Sequence, residues 1–522
     1  MSGLGTLLRA QARDLGQIAT WCVGLAFLYW SQAISIESLY RTQDELDRAA
    51  ASMAGNAAFV AMTGPARALD TVGGQVAWQS TAIGAVLVAL MVMLLVGRHT
   101  RAAEEAGRDE LIRSGPVSRF APVAAAVAGA LAASVLVGAS VAAALIAYRL
   151  AWADSVALGL GLAVTGWFFA AVTLVAVQLT SSVRTAYGLV GAVLATAYLA
   201  RAVGDVRVPA LSWASPIGWY QAMHAFSGLR WWPALLPLLA TAVALALGCW
   251  LLVRRDHGCG VLAERAGPAR GGRTLRSGLG LAWRLHRATT AAWAVGLFVA
   301  GLGYGSIGED VEDLIGDSAT SRALFATDGV DVVAAFQATS LLMLALIASG
   351  HTVAAALRGR TEEEAGRLAP LLVAGLSRTR WWDGQAVVVL LGSAVVLAAA
   401  GAGLGTGYGL ATGRWHEPAV LLPAELAYLA PAAVLAGWAW LWVALAPRWA
   451  SMAWTGPGVA LAVGYFGELL DLPGWLRACS PYEHLAAVPD ARFSWWPVLA
   501  TAGVAVLLAA GARRAFAARD LR

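Results

Sequence analysis

The chain has 522 residues and a formal net charge of +5, with 59% of its residues hydrophobic and 13% charged. Apolar runs repeatedly exceed about 18 residues, which is more apolar surface than a soluble core buries. The composition therefore predicts an all-α polytopic membrane protein. All 37 residues in the lysine-plus-arginine total are arginine. A P-loop ATPase and a Schiff-base enzyme both need lysine, so both classes are excluded.

The chain also lacks the spacing of a metal site or a disulfide framework. Its four cysteines are scattered along the sequence, at Cys22, Cys249, Cys259 and Cys479, and its seven histidines stand singly. We therefore expect no metal and no cofactor on this chain. A membrane-embedded enzyme would need convergent His, Asp, Glu or Cys side chains, and the sequence suggests no such cluster.

Hydropathy predicts twelve membrane spans. They cover residues 17–36, 78–97, 121–147, 155–180, 185–202, 233–253, 288–306, 332–352, 384–411, 418–446, 451–470 and 496–513. With both termini in the cytoplasm, 26 of the 37 arginines fall in inner segments, as the positive-inside rule requires. Because the arginines are spread between spans and form no basic domain, we expect lipid and no nucleic acid as a partner.

A charged segment occurs twice. Residues 104–119 read EEAGRDELIRSGPVSR and residues 363–378 read EEAGRLAPLLVAGLSR, each between two apolar runs. On a helix, Glu104 could pair with Arg108, and Glu363 with Arg367, at i and i+4. Gly107 and Gly366 would leave a bare patch that another backbone could approach. Two simpler alternatives are a solvated helix that caps two spans, and a Ser-Arg ending that only starts the next span.

Further repeats extend the duplication to the whole chain. Gly-Leu-Gly followed by arginine opens both halves, at Gly3 to Arg9 and Gly278 to Arg284, and predicts an interfacial elbow helix before each first span. Ser-Pro followed by Trp-Trp-Pro also recurs, beginning at Ser215 and Ser480. The repeats predict two parallel six-span halves, residues 1–253 and 281–522, joined by a cytosolic linker at 254–280.

The motif at 104–119 resembles the loop between spans two and three of ABC-2 type exporter permeases, where it forms the coupling helix. The strings SPIGWYQAMHAFSGLRWWP, RRDHGCGVLAERAGPA and SPYEHLAAVP resemble the bacterial polyketide-antibiotic (tetronasin-like) exporters, which are fused twelve-span permeases. This resemblance implies a permease in the bacterial cell membrane that exports amphipathic drugs or antibiotics by alternating access. It also implies two copies of a separate ATPase subunit, which would bind the ATP and Mg.

The resemblance further assigns residues to the ATPase-facing surface. These are Glu104, Glu105, Gly107 and Arg108 in the first half, and Glu363, Glu364, Gly366 and Arg367 in the second. The second copy departs from the pattern, because Pro370 should kink or shorten its helix. We therefore expect the loss of Glu104 and Glu105 to uncouple transport more severely than the loss of Glu363 and Glu364.

If the halves meet through their second and fifth spans, polar and aromatic residues of those spans should line the substrate cavity. The candidates are Gln79, Thr81, Tyr187, Tyr198, Phe336, Gln337, Ser340, Trp454 and Tyr465. The alternative for the tyrosines and tryptophans is an interfacial aromatic belt.

The leading alternative function is a twelve-span proton-coupled secondary drug carrier. Such a carrier usually places ionisable groups within the membrane. Acidic residues are scarce in the predicted spans, and Glu425 and Glu468 are expected near span edges. The sequence therefore favours an external energy source.

Overall fold

The computed structural model describes residues 3–55, 57–262, 271–272, 275, 277–307, 332–466, 473–489 and 491–520. Over these residues the regular secondary structure is helical and contains no strand. The chain divides into two compact units, Met1–Gly267 and Pro268–Arg522. Each unit has its own buried hydrophobic core.

The first unit is built from long apolar helices joined by short ones. The helices are α1 Leu4–Gln11, α2 Leu15–Leu39, α3 Gln43–Gly55, α4 Ala57–Thr63, α5 Val72–His99, α6 Arg101–Glu105, α7 Arg108–Arg113, α8 Ala121–Ala147, α9 Trp152–Leu179, α10 Val183–Val206, α11 Pro209–Trp213, α12 Pro216–Gln221 and α13 Leu235–Arg254. Helices α5 and α9 are the most buried of the long helices and form the centre of the core.

The second unit follows the same plan. Its helices are α14 Gly278–Ile307, α15 Val332–Glu364, α16 Leu368–Val373, α17 Arg378–Thr412, α18 Glu417–Ala427, α19 Leu429–Leu445, α20 Thr455–Phe466, α21 Gly474–Arg477 and α22 Trp495–Ala518. Its first helix begins at Gly278 and continues through the span without a break. The predicted elbow helix is therefore wrong for the second unit, although α1 of the first unit is a separate short helix.

Eleven helices in the described part of the chain are long and apolar enough to cross a membrane. They match eleven of the predicted spans, and the prediction of an all-α polytopic membrane protein is confirmed. The predicted span at 451–470 begins as a 3₁₀ helix, Pro447–Trp454, and continues as α20. Residues 467–472, including Glu468, lie outside the described residues, so the span at 451–470, the eleventh in chain order, stays a prediction.

Glycine allows α14 and α17 to pack at backbone contact. A Cβ atom at Gly305 would lie 2.0 Å from the carbonyl oxygen of Leu404, and one at Gly301 would lie 2.5 Å from that of Ala400. Gly403 and Gly407 face carbonyl oxygens of α14 at 2.2 and 2.3 Å in the same way. Small residues spaced four apart are how membrane helices approach closely.

We expect Gly305→Val to destabilise the second unit by about 1–3 kcal/mol, because the new side chain must push two backbones apart. Gly296→Val, in the same helix, is the matched control, since nothing lies within 4 Å of a Cβ there. Thermal unfolding in detergent measures both variants. An equal loss of stability in the two variants would mean that helix propensity, and not the close helix contact, determines the destabilisation.

Candidate functional site

The two charged segments form a helix, a glycine turn and a second short helix. In the first unit α6 ends at Glu105 and α7 starts at Arg108, and between them Gly107 has a φ of +69°. In the second unit α15 ends at Glu364, Gly366 has a φ of +68° and α16 follows. Glycine adopts this left-handed conformation readily, because it has no Cβ atom. Nothing lies within 4 Å of a Cβ built at either glycine, so both turns are open.

This turn changes the pairing that the sequence predicted for Glu104. Its side chain is only 6% exposed, and Arg255 donates to both of its oxygens at 2.8 Å. Arg101 lies 3.2 Å from the same carboxylate, and the backbone N–H of Gly258 donates to it at 2.7 Å. The predicted pairing of Glu104 with Arg108 is therefore wrong, because the turn at Gly107 ends the helical register.

The second unit repeats the arrangement with its own last helix. The buried carboxylate of Glu363 accepts a hydrogen bond from Arg519, which directly follows α22, and lies 3.4 Å from Arg360. Arg367 donates to Glu362 at 2.6 Å and not to Glu363, so the second predicted i to i+4 pair is also wrong. In both units, a buried glutamate joins the charged segment to an arginine at the end of the unit's last helix.

The arginine that ends each charged segment strengthens this link. Arg119 donates to the carbonyl oxygens of Leu252 and Arg255, at the end of α13. Arg378 donates to the carbonyl oxygen of Arg519 at 2.8 Å, at the end of α22. Cations at a helix C-terminus satisfy the last carbonyl groups. The Ser-Arg endings therefore do more than start the next helix, although Ser377 also caps α17.

The first unit extends the network to α9. Arg101 is fully buried and donates to the carbonyl oxygen of Val177 at 3.1 Å, and Arg255 donates to the amide oxygen of Gln178. The backbone N–H of Val261 donates to the carbonyl of Gln178 at 3.0 Å. The ends of α5, α9 and α13 are thus joined through buried charged groups.

Sequence reasoning missed Arg255 and Arg519. Both are followed by aspartate, Asp256 and Asp520, directly after the last span of each half. This Arg-Asp repeat at an offset of 264 residues is the signal that could have identified them.

Parts of both segments point outward. Glu105, Arg108, Glu364 and Arg367 are exposed, and Leu111 of α7 and Val373 of α16 are 77% and 90% exposed. The exposed face of α7 includes Arg108 and Glu110, whereas that of α16 consists of Ala369, Pro370 and Val373. A solvated cap is therefore the wrong description for Glu104 and Glu363, whose side chains are only 6% and 5% exposed. It still fits the outward residues.

Pro370 does not shorten its helix. Helices α7 and α16 each have six residues. Pro370 is the third residue of α16, within the first turn, where the missing N–H is not needed for an intrahelical hydrogen bond. The predicted asymmetry in helix length is wrong, and the asymmetry lies in the surface chemistry of the two helices.

Two comparisons with known proteins place the chain. Residues 275–516 match the family described as the C-terminal domain of the multidrug efflux system permease Rv1217c. The multidrug efflux system permease protein Rv1217c of Mycobacterium tuberculosis is 35% identical over 534 aligned residues, covering 99% of this chain and 95% of the relative. The chain belongs to this family of multidrug efflux permeases. It is accordingly a multi-pass membrane permease.

The predicted cavity residues of this permease lie in several settings. In the first unit, Thr81 is buried, Gln79 is half-buried, and the hydroxyls of Tyr187 and Tyr198 donate to the carbonyls of Leu94 and Met62. In the second, Gln337 and Ser340 are buried, Phe336 is half-buried and Trp454 is 47% exposed. The side chain of Tyr465 lies outside the described residues. The lining of a shared cavity stays a prediction.

The first unit also has a cavity of about 240 Å³ with charged residues in its lining, at the opposite end of α5 from the charged segment. Its lining includes Arg67, Asp205, His224 and Arg230. Burial, together with the charges of Arg67 and Arg230, lowers the pKa of His224 to about 4. His224 also has a φ of +54°, in the left-handed region.

We expect His224→Asn to reduce the loss of stability on acidification. The unfolded histidine takes up its proton near pH 6.5 and the folded one near 4, so falling pH favours unfolding between those values. Because His224 is half-buried, the expected effect is about 1 kcal/mol at pH 4. Asparagine tolerates the left-handed backbone. Thermal unfolding from pH 7 to 4 measures the loss of stability, and His416→Asn is the control. If stability fell equally with pH in wild type and His224→Asn, the prediction would be contradicted.

Proposed function

We propose that this permease is the transmembrane subunit of an ATP-driven exporter of the ABC-2 type, in the tetronasin-like branch with twelve spans. Two copies of a separate ATPase would dock on α7 and α16. The observation that carries the proposal is the duplicated unit of an open glycine turn, a short exposed helix and a buried glutamate bound to the end of the last helix.

The contacts support a mechanical role for the two segments. A push on α7 would pass through Glu104 to Arg255 and so to α13, and through Arg101 to α9. In the second unit the push would pass through Glu363 to Arg519 and α22. Buried charge-assisted hydrogen bonds hold their geometry more strictly than solvated ones. Each segment would therefore move its helices as one body.

Alternating access then requires the ATP-bound ATPase pair to bind one arrangement of the permease better than the other. The substrate is proposed to be an amphipathic drug or antibiotic, which agrees with the multidrug efflux named for the relative. The residues predicted to line the cavity, from Gln79 to Tyr465, remain part of this proposal.

The proposal places ATP and Mg on the partner, because the chain has no lysine for a P-loop. The purified chain is expected to show no ATPase activity above background, and the chain copurified with its ATPase is expected to hydrolyse ATP and to export drug into proteoliposomes. A chain purified under the same conditions that exports drug without nucleotide would contradict the ATP-driven mechanism.

Glu425 gives one reason to keep a second candidate, the proton-coupled carrier. Its side chain is fully buried in α18, eight residues into the candidate span Glu417–Leu445. The same proteoliposomes separate the two mechanisms. Drug uptake driven by a pH gradient in the absence of ATP supports the carrier, and uptake that requires ATP supports the exporter.

A further inference from the structure

Glu425 is a buried carboxyl group inside a predicted membrane span. It lies eight residues after the start of α18 at Glu417, about 12 Å along the helix axis. Its exposed fraction is 0%, and the helix continues through α19 as one candidate span, Glu417–Leu445. A buried acidic residue at this depth is costly and is usually retained for function.

No hydrogen-bond partner for either carboxyl oxygen is found among the described residues. Among the described residues, the neighbouring polar groups are the phenols of Tyr428 and Tyr482, whose ring centroids lie 5.9 Å apart. Glu483, an acidic group near Tyr428, binds Arg477 at 2.9 Å. The described surroundings therefore offer Glu425 no cation.

Glu425 packs against a glycine of the preceding helix. A Cβ at Gly401 in α17 would lie 2.7 Å from the Cβ of Glu425. In the first unit, Gly138 of α8 also packs against the helix that follows it, and a Cβ there would lie 3.4 Å from the Cβ of Ala163, which is buried. Close packing of a glycine against the next helix is thus made with an alanine in the first unit, so such packing does not by itself require a carboxyl group.

An ionised carboxylate without a partner cannot persist in such an apolar site, because the free-energy cost of burial is relieved by taking up a proton. We propose that Glu425 is a proton-binding site of the second unit. A proton occupies it in the arrangement described here, in which the carboxyl is buried and which we call occluded, and leaves it when α18 meets water. The proton moves between the carboxyl oxygen and water, so no further reactant is needed.

This inference specifies a direction for the effect of pH. The protonated form favours the occluded arrangement, and the ionised form favours an arrangement in which the carboxylate is hydrated. Rising pH should therefore shift the second unit away from the occluded arrangement. Among the described residues, the phenols of Tyr428 and Tyr482 are the other titratable groups that face the site, and both are buried.

Infrared difference spectroscopy of the complete transporter tests the proton directly. Wild type minus Glu425→Gln, at neutral pH, is expected to show the C=O stretch of a protonated carboxyl in a dry site, with a shift in deuterated water. Glu417→Gln, a glutamate at the start of the same helix, is the control and should leave that band in place. A carboxylate band at neutral pH would overturn the proposal.

Proton exchange during transport is tested by the same variants. The band is expected to change when the transporter is trapped in a second nucleotide or substrate state, and the pH dependence of export is expected to flatten in Glu425→Gln. Glu425→Ala, which also removes the ionisable group, should show the same flattening. If the band were constant in every state, the proposal that Glu425 exchanges its proton during transport would be overturned. Glu425 would then be a permanently protonated carboxyl group with a structural role. Because the infrared measurement does not depend on ATP, it stands even if the proposed energy source is wrong.

Discussion

The free energy of unfolding of the first unit is expected to fall by about 3–5 kcal/mol when Glu104 is replaced with alanine. The reason is that Arg101 and Arg255, with side chains 1% and 7% exposed, would keep their charges in a buried site without the carboxylate that compensates them. Thermal unfolding in detergent, followed by intrinsic fluorescence, is the measurement. A sequence-based estimate for a solvated charge would be only about 0.5 kcal/mol.

Glu110→Ala is the matched control for this prediction. Glu110 is an exposed glutamate six residues further along, so its loss should change stability by about 0.5 kcal/mol or less. The double variant Glu104→Ala with Arg255→Ala should recover part of the loss, since it removes one uncompensated charge. If Glu104→Ala were as mild as Glu110→Ala, the carboxylate would not be the centre of the buried network.

The predicted spans show where hydropathy suffices. The third span was predicted at 121–147 and α8 is Ala121–Ala147, because that run is bounded by polar residues on both sides. The seventh was predicted to begin at 288, whereas α14 begins at Gly278. The arginine and histidine residues in the first three turns of α14 lower its local hydropathy, so a hydropathy scan places the start of the span too late. These turns are nevertheless packed, since His286 is only 3% exposed and forms a hydrogen bond with Gln385 at 2.8 Å.

The candidate site shows where a sequence cannot suffice. The repeated motif identified the two segments and their glycines, because a duplication can be recognised from the amino-acid sequence alone. Which side chains face inward was not visible, since the partner of Glu104 lies 151 residues away and that of Glu363 lies 156 residues away. Distant pairing depends on how whole helices pack, and the local i to i+4 rule therefore gave the wrong partner.

Burial of the first glutamate in each segment also changes which residues can meet a partner. Glu104 and Glu363 are bound within their own units, so a docking surface must use the short helices and the exposed residues beside the turns. On α7 that surface mixes Arg108 and Glu110 with Leu111, and on α16 it is apolar around Val373. Identical ATPase subunits would thus meet two chemically different faces, and the two contacts would differ in salt dependence.

Substitution of one outward residue in each short helix is expected to uncouple the transporter without unfolding it. Leu111→Asp and Val373→Asp should each lower copurification of the ATPase and drug-stimulated ATP hydrolysis about tenfold or more, equivalent to about 1.4 kcal/mol of docking free energy. Because these side chains are 77% and 90% exposed, thermal unfolding of the permease should change by only about 0.5 kcal/mol.

Trp475→Asp is the control for the docking experiment. Trp475 is 72% exposed but lies in the segment that precedes α22, at the other end of that helix from Arg519. The variant should bind the ATPase normally. Because the docking face of α16 is apolar, ATPase binding by Val373→Asp should stay defective at high salt. Charge reversal at Arg108 in α7 should instead lose its effect on binding as the salt concentration rises. If neither Leu111→Asp nor Val373→Asp reduced copurification, the short helices would be solvated caps, and the ATPase would have to dock elsewhere or be absent.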